Sequence, residues 1–516
     1  MTKATPPPFV HDQEHQSALN RFAWSSRPSI TTVAAAAPVL IRMALASLSI
    51  SSAYLSIDTA HAQSILSTSN AVEAPNGAGI ARTITTNPSF DTSNPFFAPL
   101  GTNGRSCATC HGLTEALTFT AAHAQKLFDD TAGMHPIFAA VDGANSPSAD
   151  MSTVDARRNN TSLLRTKGLI RVEFAPPKNA EFVIESVDDP YNYANTSRVS
   201  AYRRPLASTN LRFASTVMWD GRELDKTGNT QRALRSQVID AVLGHMQAPQ
   251  APSRATVKSI VDFETHLFTT QVVDNEAGAL DEAPIFAGPE SLLRQAPLIR
   301  SLRALRRGPP PQRGPTRERE ARPNPLGVFN YFRPWLEIPG ETRSPEQRRQ
   351  ESIARGEQLF NTRPFLISNA PGFTDTRNEG KERLRRVALT GARLGTCSSC
   401  HNLSSIGSSA KPLLINTGIS DGSMRTPDMP LYTLRNKKTG ARVQTTDPGA
   451  AMKSGKWRDI GKFKVPSLRA LESHSPYMHN GFTGDLLELL AFYDRRFTIG
   501  LTEQEKLDLQ AFLKAL

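Results

Sequence analysis

What this chain has little of narrows it first. Its 516 residues include only four cysteines, too few for a disulfide-stapled scaffold, and aromatics make up 7%. The length still exceeds what one hydrophobic core usually serves, so two or more cores are expected. No interior stretch is apolar enough to span a bilayer. Acidic residues are the minority, 48 against 60 Lys and Arg, and the formal charge is +12. An excess of that sign speeds encounter with an acidic partner, a membrane face or nucleic acid, and simple solubility explains it as well.

The four cysteines all fall in two copies of one motif, Cys107-Ala108-Thr109-Cys110-His111 and Cys397-Ser398-Ser399-Cys400-His401. Two intervening residues put both sulfurs on one side of a single helical turn, and the next residue projects its imidazole beside them. Cys-x-x-Cys-His is the attachment signal for a c-type haem: the thiols bond to the vinyl groups and the histidine becomes the proximal iron ligand. Cys107, Cys110, Cys397 and Cys400 are then cofactor-binding, His111 and His401 are metal ligands, and two covalently bound haem c are expected. Two separate zinc or redox-dithiol sites are the alternative. Zinc would need two further ligands near each motif, and a dithiol has no use for the histidine.

Near the N-terminus, Arg42 is followed by Met43-Ala44-Leu45-Ala46-Ser47-Leu48-Ser49-Ile50 and then Ala60-His61-Ala62. Positive residue, apolar run and small-x-small site are in the order of a signal peptide, so cleavage after Ala62 and a periplasmic location are expected. Covalent haem attachment independently favours export, which argues against nucleic acid as a partner. Met43 is an alternative start, and a disordered cytosolic tail is the competing reading.

The expected organisation is a leader (1–62), a first haem region (63–280), a basic Pro/Arg-rich connector (281–345) and a second haem region (346–516). The expected fold class is mainly α, with two cytochrome c-like domains, each holding one covalently attached c-type haem. Residues 63–105, rich in Ser, Thr, Asn, Gly and Pro, read as an irregular arm. The run 121–128 looks helical and carries His123, which is either a sixth iron ligand or an ordinary surface histidine. Residues 259–268 read as the last helix of a cytochrome c unit. In the second region 352–360 reads as a first helix. Thr502 with Glu505 makes a capping-box pattern ahead of the apolar stripe Leu509, Phe512, Leu513 and Leu516. Between Leu293 and Arg322 there are nine arginines and two acidic residues. That stretch suits peripheral contact with anionic lipid or an acidic electron donor, and a solvated connector is its plainer reading.

Several segments carry a family resemblance. Tyr202-Arg203-Arg204-Pro205-Leu206 followed by Val217-Met218-Trp219-Asp220-Gly221-Arg222 resembles the Arg-Asn-Thr-Pro and Phe-Trp-Asp-Gly-Arg region of the bacterial dihaem cytochrome c peroxidases and MauG-type enzymes. Gly461-Lys462-Phe463-Lys464-Val465-Pro466-Ser467-Leu468-Arg469 with Pro476-Tyr477-Met478-His479-Asn480-Gly481 resembles their Phe-Lys-x-Pro-x-Leu-Arg and Pro-Tyr-x-His-Asp-Gly signature. The resemblance implies that Trp219 relays electrons between the haems, a role compatible with its being a core indole. It also implies that Gln237, in Ala233-Leu234-Arg235-Ser236-Gln237, helps orient peroxide.

This sequence departs from the pattern in two places. Where the family presents a glutamate as proton shuttle, the stretch here is Leu243-Gly244-His245-Met246-Gln247, so His245 either does the acid/base work or ligates the iron. Where the family has an asparagine on calcium, Arg204 stands, which puts calcium in doubt.

The sixth ligand of the second iron has several candidates after His401: Met424, Met429, Met452 and Met478. By the resemblance, the residue fourteen after His479 decides, and it is Tyr493, the MauG-type arrangement; a plain core tyrosine is the alternative. His479 itself is expected to hydrogen-bond within the haem pocket. The implied activity is reduction of hydrogen peroxide to water with electrons from a small donor protein such as a cytochrome c or cupredoxin. A MauG-like protein modifier, a dihaem oxygenase of an organic substrate and a non-enzymatic electron carrier are the competing readings.

Overall fold

A computed structural model describes residues 69–224, 229–295, 327–338, 340, 342–374 and 392–516. The segments expected to be a leader with its cleavage site and the arginine-rich heart of a connector lie outside the described residues.

Helix accounts for 35% and strand for 18%, which overturns the expectation of a mainly α fold. The reason is local. Thirteen strands occur among the described residues, the longest only eight residues, and most carry small or β-branched side chains that leave a weak periodic signal. Strands β1 (Ala71–Asn76) and β2 (Gly79–Thr85) form a hairpin inside the stretch read as an irregular arm. Asn76 makes the turn: its side-chain oxygen accepts from the main-chain N–H of Ala78 and of Gly79, both at 3.0 Å.

Strand β3 (Ile170–Phe174) pairs antiparallel with β5 (Val199–Arg203), which is buried along its whole length. Between them in sequence, β4 (Phe182–Asp188) leaves for a different sheet. Strand β6 (Leu267–Asp274) then joins β2, and β7 (Gly278–Ala279) closes the order β1-β2-β6-β7. The helix expected to run to residue 268 stops at Thr265. The β-branched run Thr269, Thr270, Val272, Val273 prefers the pleated surface and takes the chain into β6.

Strand β8 (Phe365–Ser368) pairs with β9 (Ala392–Gly395), which leads directly into the second Cys-x-x-Cys-His. Strand β10 (Leu414–Ile415) pairs with β13 (Phe463–Lys464). Strand β11 (Leu431–Asn436) holds β12 (Arg442–Thr445) on one side and β4 on the other. One sheet is therefore built from both sides of the connector.

Among the described residues six longer helices frame these sheets: α1 (Ala121–Thr131), α2 (Thr230–Gly244), α3 (Arg254–Thr265), α4 (Pro345–Thr362), α5 (Leu486–Phe497) and α6 (Glu503–Lys514). Helices α2 and α3 pack through Leu234, Val238 and Val242 against Val257, Ile260 and Val261. Helices α4 and α6 cross at Gly356, where a Cβ would meet the Asp508 carbonyl oxygen at 1.9 Å, so only glycine allows the approach. One turn on, the Phe360 and Phe512 rings lie 5.5 Å apart. The capping box of α6 forms as the sequence indicates, with Thr502 and Glu505 bonding each other's main-chain N–H.

Candidate haem-binding site

Both Cys-x-x-Cys-His segments fold as a single tight turn with the same local bonding. In the first, the Ser106 N–H donates to Thr109 Oγ1 at 2.9 Å and the His111 N–H to the Cys107 carbonyl at 3.1 Å. In the second, the Thr396 N–H donates to Ser399 Oγ at 2.9 Å and the His401 N–H to the Cys397 carbonyl at 3.2 Å. In each, the histidine Nδ1 faces a carbonyl six residues on: Leu117 for His111, at 3.2 Å, and Gly407 for His401. A carbonyl only accepts, so the proton sits on Nδ1 and the Nε2 lone pair is left for a metal. Burial lowers both imidazoles to about 4, which keeps them neutral.

Burial also raises the four free thiols, Cys110, Cys397 and Cys400 to about 12 and Cys107 further, the Glu264 charge adding to its shift. Two thiols and a neutral imidazole per turn, opening on an apolar cavity, are the donor set that a covalently held porphyrin requires.

Ten of the residues singled out by sequence line one cavity: the six of the two motifs, Gln237 and His245 from α2 and its end, Trp219, and Tyr493 from α5. The cavity also holds further polar groups, of which sequence reasoning missed Glu264 and His474 and gave Lys464 no role. Glu264 is raised to about 7 by burial and has one carboxylate oxygen without a partner. The Nε2 atoms of His474 and His479 are likewise buried without a hydrogen bond, His479 Nε2 lying 4.0 Å from Asp447 Oδ2. Lys464 is lowered to about 8 by burial and donates to the Thr216 carbonyl at 2.9 Å. Buried polar atoms of this kind call for a partner, and a ligand with its own charged edge supplies one.

On the first-motif side, His245 sits at the C-terminus of α2 with Nδ1 2.5 Å from Asp142 Oδ2, and Arg105 pairs with the other oxygen of Asp142. His245 is near enough to His111 that a charge on His245 would add to the effect of burial in lowering His111. His123, by contrast, lies outside the cavity lining, pairs with Glu115 and packs edge-on against Phe119.

Between the motifs, the Trp219 indole N–H donates to the Arg204 carbonyl at 2.8 Å, and its ring meets His479 edge-on with centroids 6.2 Å apart. Phe463 stacks on the other side of His479 at 3.7 Å. Beneath them Arg203 joins Asp220 at 2.6 Å and Asp447 at 2.7 Å, all three buried. His479 is lowered to about 4 by burial, with Asp447 opposing and Arg203 adding, so it stays neutral.

The place implied for calcium does not fit a metal. The Arg204 guanidinium fills it, donating to the carbonyls of Gly168 at 3.0 Å, His474 at 3.3 Å and Ser475 at 3.2 Å. Oxygens that would coordinate a dication are taken by a built-in cation, which would also repel one. Gly168 permits the approach: a Cβ there would lie 1.8 Å from Arg204 Nη1.

On the second-motif side, Tyr493 packs in a cluster with Cys397 and Cys400. Burial, then the neighbouring Cys400 and Cys397, raise its phenol above the ordinary value. Of the four candidate methionines, Met478 lines the cavity. Met429 is packed against Leu163, Leu169 and Tyr202, and Met452 against Phe182 and Leu434.

No family model matches the chain. Cytochrome-c peroxidase IdrP1 of Denitromonas iodatirespirans is 34% identical over 155 residues, covering 26% of this chain and 40% of that protein. IdrP2 of the same organism is 32% identical over 165 residues, covering 30% and 42%. IdrP1 of Pseudomonas sp. (strain SCT) is 34% identical over 152 residues, covering 26% and 39%. The chain thus spans about two fifths of the length of the curated relatives it matches. The crystal structure of a MauG-like protein associated with microbial copper homeostasis aligns over 86% of this chain and 92% of its own, at 15% identity and a TM-score of 0.34, too low to carry an argument. Over about a quarter to three tenths of its length, the chain is similar in sequence to cytochrome-c peroxidases.

Proposed function

We propose that this protein is a periplasmic dihaem c-type peroxidase that reduces hydrogen peroxide to water with electrons from an external redox protein. The observation that carries the proposal is the convergence of both Cys-x-x-Cys-His turns, Trp219 and His245 on one cavity. Covalent haem c on His111 and His401 would supply the iron that exchanges electrons with peroxide and donor.

The chain's own residues set the conditions. The Nδ1–H bonds of His111 and His401 fix ring orientation and raise ligand basicity. His245 Nε2 takes a proton from hydrogen peroxide as it binds and returns it to the oxygen that leaves as water. Gln237, which lines the same cavity from α2, orients the peroxide. Reduction to two waters consumes two electrons and two protons, and Trp219 lies on the route for those electrons between the two halves. Arg204 and Lys464 add positive charge to the cavity wall, which suits an anionic cofactor edge.

Tyr493 favours a second reading. A tyrosine beside the second motif is the MauG-type arrangement, and that reading predicts oxidation of a protein substrate in place of rapid turnover of a small donor. The test is to express the chain with haem-ligation machinery, count covalent haem per chain, and follow peroxide-dependent oxidation of a reduced small cytochrome c. Two haems with catalytic turnover support the peroxidase. Two haems with peroxide-induced spectral change but negligible donor turnover point to the second reading, and fewer than two covalent haems end both.

A further inference from the structure

His245 is not a lone histidine. Its Nδ1 lies 2.5 Å from Asp142 Oδ2, and Asp142 Oδ1 is paired with Arg105 Nη1. The carboxylate is therefore engaged on both oxygens, by imidazole on one side and guanidinium on the other. Side-chain exposure is 5% for Asp142 and 3% for Arg105, against 41% for His245, so a buried pair backs an imidazole that reaches open space.

The pair is itself held. Arg105 Nε donates to the Pro136 carbonyl and Nη2 to the Ile137 carbonyl, each at 2.7 Å, and Nη1 reaches the main-chain carbonyl of His245 at 3.2 Å. Asn103 Nδ2 donates to that same carbonyl at 2.8 Å. The Arg171 N–H donates to the Asp142 carbonyl at 2.9 Å. His245 is thereby fixed through its main chain and through its ring. The charged or titratable groups around it are Asp142, Arg105 and His111.

From this geometry we infer that Asp142, clamped by Arg105, is a positioning residue that fixes the Nδ1–H tautomer of His245 and presents its Nε2 lone pair to the cavity. The inference rests on the acid/base role proposed for His245. Arg105 has only donors, so the atom facing it must accept, which leaves the other carboxylate oxygen to accept from Nδ1–H. The buried carboxylate stays ionised because hydrogen bonds and charge from His245 and Arg105 outweigh desolvation. A glutamate at position 245 would need no such device, since a carboxylate has no tautomer to choose.

Asp142→Asn tests it. Arg105 forces the amide oxygen toward itself, the amide NH2 then donates to Nδ1, and His245 is locked with its proton on Nε2. The expected result is a fall in kcat of about 100-fold or more with KM unchanged, the range of a lost acid/base group. A second readout does not depend on turnover: carbethoxylation of His245 by diethyl pyrocarbonate, followed by peptide mass spectrometry on the haem-loaded protein. It proceeds in the wild type and is lost in D142N. In D142N/H245E the amide introduced at position 142 donates to the carboxylate introduced at position 245, and kcat recovers at least about tenfold over D142N.

Should D142N not fold, R105M/D142A removes both buried charges together and is expected to show the same kcat loss. Wild-type kcat and undiminished carbethoxylation in D142N, with H245A down about 100-fold, would overturn the role of Asp142 and leave the acid/base role standing. Full turnover by H245A would overturn both. Absence of peroxide turnover in wild type carrying two haems would remove the reading on which the inference rests.

Discussion

The indole N–H of Trp219 is bonded to the main-chain carbonyl of Arg204, and the main-chain N–H of Arg204 is bonded in turn to the carbonyl of His479. One residue thus couples an aromatic ring from the first half of the chain to a segment of the second. A relay needs a fixed distance more than a particular energy, and these bonds supply it.

Trp219→Phe is accordingly expected to keep both covalent haems and normal folding while slowing donor-dependent peroxide turnover at least about tenfold. Reduction of the second haem by the donor should proceed at the wild-type rate. Stopped-flow spectroscopy separates the two steps, and an unchanged turnover would remove Trp219 from the route.

Arg204 leads to a prediction about metals. With its guanidinium seated among three carbonyls, neither chelator nor added calcium should shift the melting temperature or the turnover of the haem-loaded protein. Arg204→Ala leaves those carbonyls buried without a donor and should cost roughly 3 kcal/mol, read by denaturant unfolding. A chelator-sensitive wild type would contradict this account.

Tyr493, packed with Cys397 and Cys400, and Met478, in the cavity lining, are the candidates for the sixth ligand of the second iron, and EPR of the ferric protein distinguishes them. Tyr493→Phe should alter the low-spin signal and raise the potential of that haem, because phenolate favours ferric iron. Met478→Leu should leave the signal as it was. The reverse pattern would assign the ligand to methionine.

Glu357 carries a pH dependence of stability. Its carboxylate accepts the N–H of Tyr331 at 2.7 Å and of Phe332 at 3.1 Å, yet burial raises it from 4.5 to about 7 against those bonds. The folded state then holds a proton that the unfolded state releases, so this contribution is full below pH 4.5 and is lost as the pH rises through about 7. The fall in melting temperature between about pH 5 and pH 8 should be smaller in Glu357→Gln. An identical fall in both proteins would show that Glu357 is not its source.

What the sequence made legible was set by spacing. The two motifs, the stripe and capping box of α6, the helix around His123 and the helical run 352–360 all announce themselves through fixed intervals. The β1–β2 hairpin did not, because small residues such as Ala71, Ala74 and Ala81 carry little alternation and its turn rests on one Asn side chain. The end of α3 was overrun for a related reason: Leu267 and Phe268 continue an apolar rhythm that the chain then uses in a strand. Asp142 and Arg105 gave no signal at all. Each is an isolated charged residue whose partner is distant in sequence, and only the fold brings them behind His245.

The pairing of β4 with β11 gives the molecule an unusual tolerance of a broken chain. Each strand is supplied from a different side of the arginine-rich connector, and six residue pairs run from Leu431 opposite Asp188 to Asn436 opposite Phe182. A protease that nicks the connector should therefore yield two fragments that migrate together on a sizing column and come apart only in denaturant. Either fragment made by itself would carry a bare strand edge, and its natural fate is aggregation.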